Sequence, residues 1–306
     1  MSDMTNVRLE TPTPAGGSAA VGSVIHDLGY RRYDGPRTGA AEARRALFWQ
    51  GFRALFGLGR PAKSKAIPVF VLAVTMMPSL ASVVASGASN GQVPVPYASL
   101  IAGQTLLFVL FMAAQGPELM SRDQQHRVLP LMFTRTVTRN QYAFVRWLSV
   151  FSAVLCVALA PLLLLWIGQL GVAKDPSVAF QTVGPRIGPV FLLATTMAWV
   201  IGSVGAFLSS LSPRRAYATA AVIGTFLVLI AVGSAIRDLA GGSYYLAAYI
   251  DQIEGMRTVA FILFGETTRG LETHTPPPVW TFLLTQYLIG AAGIAGLFWR
   301  MRKVDA

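Results

Sequence analysis

The chain has 306 residues, of which 53% are hydrophobic and 13% are charged, and its formal net charge is +11. Soluble domains carry roughly 25% charged residues, so this composition excludes an ordinary soluble protein. The charged residues avoid five stretches, each long enough for at least one helix across a bilayer core about 30 Å thick. These stretches are 66–117, 147–173, 187–213, 216–236 and 273–299. The sequence therefore predicts an all-α polytopic membrane protein.

The N-terminal part of the chain divides into two segments before the first charge-free stretch. Residues 1–41 are rich in Thr, Pro, Gly and Arg, a composition that favours a mobile cytoplasmic segment. Residues 42–65 begin with EARRALFWQGFRALFGLGR, whose helical periodicity separates an apolar face from Arg44, Arg45 and Arg53. The apolar face consists of Leu47, Phe48, Phe52, Leu55 and Phe56. This pattern predicts an amphipathic helix in the cytoplasmic membrane interface; the alternative is that these residues simply begin the first span.

Six membrane-spanning helices follow from the charge-free stretches. The sequence SGASNGQVPVP (86–96) is rich in turn-forming residues and divides the longest stretch into two spans. Thr138 and Gln141 have the spacing of a capping box, which predicts that the helix of the third span opens there. The connection 212–216 is so short that the fourth and fifth helices should form an antiparallel hairpin. The predicted spans are 67–86, 97–117, 143–172, 188–211, 217–236 and 279–299, within a transmembrane domain of residues 66–306.

The distribution of Lys and Arg predicts the orientation in the membrane. Six spans place both termini on the same side. With cytoplasmic termini, the inside segments carry 20 Lys and Arg residues and the outside segments carry 5, which is the bias that sets topology. We therefore expect a multi-pass protein with both termini in the cytoplasm. The basic charge is accounted for by topology, so we expect membrane lipids as partners and no nucleic acid.

The segment 237–278 is the longest of the predicted external segments. Within it, LAAYIDQIEGMRTVAFILF (246–264) has a helical pattern but carries Asp251, Glu254 and Arg257. Three charged residues make this helix too polar to span a bilayer. We expect it to lie at the outer surface or to dip into it.

Residues suited to catalysis or metal binding are scattered along the chain. The three histidines, His26, His126 and His274, lie in three separate segments, and Cys156 is the one cysteine. GLGRPAKS (57–64) approaches the phosphate-binding loop GxxxxGK[ST], but alanine replaces the second glycine and no strand precedes it. We expect no metal, cofactor or enzymatic activity in this chain. The charge-free spans also hold no ionisable relay, so energy for any transport should come from elsewhere.

A polar island, RDQQHRVLPLMFTRTVTR (122–139), separates the second and third spans. Ser121 and Gln124 have the spacing of a capping box, and Pro130 disfavours helix at the residue before it. The pattern predicts a separate cytoplasmic helix of about two turns at 122–129, suited to docking on a soluble partner. The alternative is a solvated loop that obeys the positive-inside rule.

The wider segment PELMSRDQQHRVLPLMFTRTVTRNQY (117–142) resembles the cytoplasmic segment that follows the second span in the permease subunits of bacterial ABC-2 type transporters. The residues that carry the likeness are Glu118, Arg122, Asp123, Leu129, Pro130, Leu131, Arg135, Arg139 and Tyr142. Thr136 departs from it, because relatives often have proline there. IHDLGYRRYDGPR (25–37) and FGLGRPAKSKAIP (56–68) also resemble a subgroup of bacterial permeases.

The resemblance implies the fold of a type V exporter-like permease: an amphipathic N-terminal helix, six spans, and short helices between spans five and six. The island 121–130 would be the coupling helix that sits in a cleft of a separate ATPase. Glu118 and Arg146 flank the island and are candidates for an ion pair. The candidates for ATPase contact are Arg122, Asp123, Gln124, His126 and Arg127.

The same resemblance implies the partners and the location. Two ABC ATPase subunits would bind ATP and Mg, and a second copy of the chain or a homologous permease would complete the dimer. The complex would lie in the bacterial plasma membrane. We expect this permease to export its solute. Apolar, uncharged spans favour a hydrophobic or amphipathic solute, although the same lining could serve a polysaccharide.

Two other classes of protein are compatible with the sequence. A membrane-embedded lipid-modifying enzyme would need its polar residues to converge in one cavity. The external candidates for such a cluster are Asp251, Glu254, Arg257, Glu266 and His274. A non-catalytic membrane anchor for signalling or protein complexes would need no such cluster.

Overall fold

A computed structural model describes residues 39–89, 95–126, 137–239, 244–266 and 277–303, together with Gly35, Leu129 and Phe133. Nearly all of the predicted mobile segment 1–41 lies outside the described residues. The helices are α1 (Ala40–Leu55), α2 (Ala66–Ala88), α3 (Tyr97–Gln125), α4 (Arg139–Val172), α5 (Pro176–Thr182), α6 (Ile187–Ser210), α7 (Arg215–Leu239), α8 (Tyr244–Ile250), α9 (Gln252–Phe264) and α10 (Val279–Lys303). Short 3₁₀ turns at Ala62–Lys65 and Gly184–Arg186 precede α2 and α6.

Six helical segments of the described chain are long and apolar enough to cross a membrane. They are α2, α3, α4, the run Pro176–Ser210 that contains α5 and α6, α7 and α10. Large apolar side chains on α2, α7 and α10, such as Phe70, Val228 and Leu288, are exposed to the surroundings of the bundle. An extensive apolar exterior is unfavourable in water and suits contact with lipid. The prediction of an all-helical polytopic protein is confirmed.

Helix α6 lies at the centre of the bundle and packs most extensively against α10, α4 and α3. Glycines allow close approach between α6 and α10. A Cβ atom at Gly293 would lie 2.9 Å from the backbone carbon of Ser203, and one at Gly290 would lie 2.2 Å from the ring of Trp199. Small residues permit this backbone contact without the help of a hydrophobic driving force in lipid.

The start of α4 agrees with the capping pattern in the sequence. The Thr138 hydroxyl accepts from the backbone N–H of Gln141 at 3.3 Å, and Gln141 Oε1 accepts from the backbone N–H of Thr138 at 3.2 Å. The two exchanges form a complete capping box. The prediction that the third span's helix opens at Thr138 is confirmed.

The separate coupling helix predicted at 122–129 is wrong at its start, because α3 runs unbroken through Ser121 to Gln125. Ser121 is not an N-cap: its hydroxyl donates to the backbone carbonyl of Ser209 at 3.0 Å, and Gln124 Nε2 donates to that of Ser210 at 2.9 Å. Both side chains therefore bind a neighbouring helix. The end of the island at Pro130 lies outside the described residues.

Helix α1 packs against α4 and α3. Leu55 is buried, and the closest approach is at Gly51, where a Cβ atom would lie 2.8 Å from Ser149 Oγ. Ser149 Oγ also donates to the backbone carbonyl of Phe48 at 3.1 Å. Trp49 is exposed on the other face. The amphipathic pattern thus places the apolar face of α1 against the bundle.

The predicted external helix 246–264 is divided into α8 and α9 at Asp251. Asp251 Oδ1 caps α9 by accepting from the backbone N–H groups of Ile253 at 2.9 Å and Glu254 at 3.3 Å. Burial raises the pKa of Asp251, and the two backbone donors oppose this effect. Residues such as Val259 and Ala260 are fully buried, because α9 packs against α3 and α10. Of the two predicted placements, at the outer surface or dipping into it, the second fits this burial better.

Segments predicted to share a side of the membrane meet at the same end of the bundle. At one end Glu118 bonds Arg60 and Arg215, which lie before the first span and between the fourth and fifth. At the other end Glu266 Oε1 accepts from the backbone N–H of Ala98 at 2.9 Å. These ends are called inner and outer below, following the Lys and Arg bias.

Candidate functional site

Four charged residues meet at the inner end of α3 and are called the Glu118 cluster: Glu118, Arg60, Arg122 and Arg215. Arg60 Nη1 donates to Glu118 Oε1 at 2.6 Å. The same oxygen lies 3.2 Å from Arg122 Nη1, and Glu118 Oε2 lies 2.8 Å from Arg215 Nη1. The cluster joins the α1–α2 connection, α3 and α7. One carboxylate faces three guanidinium groups, so the cluster retains a formal charge of +2.

A second set of polar side chains lies beside it and is called the Asp123 network: Asp123, Tyr142, Arg146 and Gln50. Arg146 Nη2 donates to Asp123 Oδ2 at 2.5 Å, and the Tyr142 hydroxyl donates to the same oxygen at 2.7 Å. Arg146 Nη1 donates to Gln50 Oε1 at 2.8 Å. The Arg146 side chain is fully buried, and a buried guanidinium requires a charged partner. The network therefore holds α1, α3 and α4 together.

The predicted ion pair between Glu118 and Arg146 is not formed. Glu118 bonds three other arginines, and Arg146 pairs with Asp123. Glu118 and Asp123 are five residues apart on α3, which turns their side chains about 140° from each other around the helix axis. Arg146 on α4 lies on the side of α3 that carries Asp123, so it pairs with Asp123 and not with Glu118.

The inner end of α3 also supplies donors to the end of α6. The last carbonyl groups of a helix have no partner within it. Ser121 and Gln124 donate to two of these carbonyls, at Ser209 and Ser210. The last turns of α3 are therefore fixed to α6 as well as to α1, α4 and α7.

The five residues predicted to contact an ATPase separate into three groups. Arg122 and His126 are exposed at the inner end of α3. Asp123 and Gln124 are directed into the protein, where each makes hydrogen bonds to another helix. Arg127 lies outside the described residues. The surface open to a partner here is therefore formed by Arg122, His126 and the exposed Gln125 between them.

Two depressions flank Glu118 on this surface. The larger has a volume of about 390 Å³ and is called the inner pocket. It is lined by Gln50, Arg60, Glu118, Leu119, Arg122, Asp123, His126 and Arg146. The smaller has a volume of about 260 Å³ and shares Glu118, Arg122 and His126 with it. The exposed end of α3 is thus the ridge between two polar depressions.

No family model matches this chain. No match is found among curated proteins either.

The polar residues of the outer end are engaged in contacts at the starts of α9 and α3. Asp251 caps α9, Glu254 Oε2 lies 3.7 Å from Arg257 Nη1, and Glu266 binds the first turn of α3 through the N–H groups of Ala98 and Ser99. A carboxylate is favourable at a helix N-terminus, so the last role is structural. His274 lies outside the described residues. Among those described, no three His, Cys, Asp or Glu side chains are arranged to hold a metal ion.

Sequence reasoning missed five residues of the inner site: Arg60, Arg215, Gln50, Ser209 and Ser210. They lie 58 to 97 positions from their partners on α3 or α4, as for Arg60 with Glu118. Short-range spacing carries no signal for such pairs. The one available signal was that the segment 118–146 holds only two carboxylates, Glu118 and Asp123, among five arginines.

Proposed function

We propose that the chain is the membrane-spanning permease subunit of a bacterial ABC-2 type transporter. In this proposal it exports a hydrophobic or amphipathic solute and is driven by ATP hydrolysis in a separate partner. The support is the resemblance of 117–142 to the permeases, the six apolar helices, and the arrangement of the inner site.

The observation that carries the proposal is the anchoring of the exposed end of α3. Within three turns, Glu118, Ser121, Asp123 and Gln124 bind the α1–α2 connection, α4, α6 and α7, while Arg122 remains exposed. A partner that displaces this ridge acts on several spans at once. Packed helices transmit such a displacement as rigid bodies because the core is dense. The coupling element is then the end of α3, continuous with the second span.

The driving partner supplies the nucleotide chemistry. Two ABC ATPase subunits bind ATP and Mg, and each engages one ridge of a permease dimer made with a second copy or a homologous chain. Closure of the ATPases moves the ridges and, through them, the spans. The long charge-free stretches of the spans suit an apolar or amphipathic solute.

The proposal includes an interfacial position for α1 at the cytoplasmic face of the plasma membrane. Its exposed side carries Trp49 together with Arg45 and Arg53. Tryptophan and arginine at one level suit the headgroup region of a bilayer. Because α1 is fixed to α4 through Gln50 and Arg146, this position sets the inner site at headgroup depth.

The outer end gives little support to a lipid-modifying enzyme. Among the described candidates, Asp251 and Glu266 are engaged at the starts of two different helices, and Glu254 lies beside Arg257. Catalysis would need such groups to face one substrate. No second function is therefore proposed.

The test is co-expression with an ABC ATPase encoded by a neighbouring gene, followed by purification of the complex and measurement of ATP-driven transport in proteoliposomes. The double variant Arg122→Ala/His126→Ala should lower both the affinity for the ATPase and transport by about tenfold, because it truncates the exposed ridge. Arg53→Ala, an exposed arginine of α1, is the matched control and should leave both unchanged. The proposal is contradicted if the double variant keeps the wild-type affinity for the ATPase and the wild-type rate of transport.

A further inference from the structure

The charges around the inner pocket do not balance. Arg60, Arg122 and Arg215 share the single carboxylate of Glu118. The other carboxylate in the lining, Asp123, is already engaged by a buried arginine and a tyrosine hydroxyl. Among the described residues, two positive charges therefore remain without a counter-charge on this surface.

Arg60 and Arg122 line the inner pocket, whereas Arg215 lines the smaller depression beside it. The pocket volume of about 390 Å³ lies in the range of small-ligand sites. The Arg60 side chain is only 19% exposed, so it is held in the wall. His126 and Gln50 add polar groups to the lining. The planar fork of arginine matches the oxygens of a phosphate group.

The chain on either side of Arg60 carries exposed apolar side chains. Leu58 precedes Arg60 by two positions, and Ile67 and Phe70 follow it by seven and ten. Arginines in a depression at the end of a bundle of apolar helices suit the phosphate of an anionic lipid.

We propose that the inner pocket is a binding site for a phosphate group, held by Arg60 and Arg122. The phosphodiester of an anionic phospholipid and free inorganic phosphate share this chemistry. The site stands on the charges and shape of the pocket, so it does not depend on the proposed transport function.

The experiment is native mass spectrometry of the full chain in detergent, titrated with phosphatidylglycerol or with phosphatidylcholine. The wild-type protein should retain phosphatidylglycerol in preference, and Arg60→Gln or Arg122→Gln should weaken that binding by about tenfold. Lys174→Gln removes an exposed positive charge at the outer end, away from the pocket, and should have no effect. Inorganic phosphate is titrated separately. If it binds and the protein shows no preference between the two lipids, the soluble anion is the ligand.

A further variant separates binding from folding. Glu118→Gln removes the carboxylate that competes for the arginines, so it should strengthen phosphate binding, whereas a loss of folding would weaken it. The proposal is overturned if Glu118→Gln weakens binding as Arg60→Gln does, or if Lys174→Gln weakens it equally. It is also overturned if the wild-type protein binds neither phosphatidylglycerol nor phosphate selectively.

Discussion

Arg146 is the largest fully buried side chain among the described residues, and it carries a permanent charge. Two of its nitrogens donate to Asp123 and Gln50, while Nε has no hydrogen-bond partner in this structure. Burial of a guanidinium is costly, and the cost is offset only while its carboxylate remains in place. Asp123 is therefore a positioning residue whose main contacts lie inside the chain.

Replacement of Asp123 tests this assignment. Asp123→Asn should lower the free energy of unfolding by about 3 kcal/mol, because it leaves the Arg146 charge buried without a counter-charge. The measurement is reversible unfolding of the purified protein in detergent. Asp175→Asn changes an exposed aspartate that makes no capping hydrogen bond and should alter stability little. Equal stability of the wild type and Asp123→Asn would mean that the pair contributes nothing.

At the scale of the element, α3 combines a span with the exposed ridge. Its apolar portion packs against α6, α7 and α9, and its last turns bind neighbouring helices through polar side chains. The close contacts of α6 with α10, at Gly293, complete the central packing. The ridge is thus the end of a well-packed helix, which suits it to transmit force.

A matched pair of glycine substitutions tests the close contact. Gly293→Ala should destabilise the bundle by about 1–3 kcal/mol, because its Cβ would lie 2.9 Å from the backbone of Ser203. Gly224→Ala on α7 has no neighbour within 4 Å and should be neutral or stabilising by about 0.5–1 kcal/mol, since alanine favours helix. Thermal unfolding in detergent measures both, and the opposite order of stability would refute the packing.

At the scale of the whole molecule, segments predicted to share a side of the membrane meet at the same end of the bundle. This arrangement is consistent with the predicted topology. If the inner end faces the cytoplasm, a cysteine at Ser212 should be labelled by a membrane-impermeant reagent only after the cytoplasmic face is opened. A cysteine at the exposed Ser177 should be labelled on intact cells. Both variants carry Cys156→Ala to remove the native thiol. Labelling of the two positions from the same side would contradict the topology.

Much of the fold was readable from the sequence because a bilayer imposes a strong rule on composition. Charge-free stretches located all six spans, and the capping box at Thr138 located the start of α4. The rule does not predict where a helix ends beyond its charge-free stretch, because α3 continues past Glu118 and Ser121 to Gln125. Ion pairs between distant segments, such as Arg215 with Glu118, depend on packing and have no local pattern.

The central claim is that the exposed ridge of α3 touches the driving ATPase, and site-specific crosslinking tests it most directly. A photo-crosslinking residue at the exposed Gln125 should form an adduct with the co-expressed ATPase subunit, whereas the same residue at Ser177 on the outer end should form none. Absence of an adduct from position 125, or equal adducts from both positions, would contradict the account.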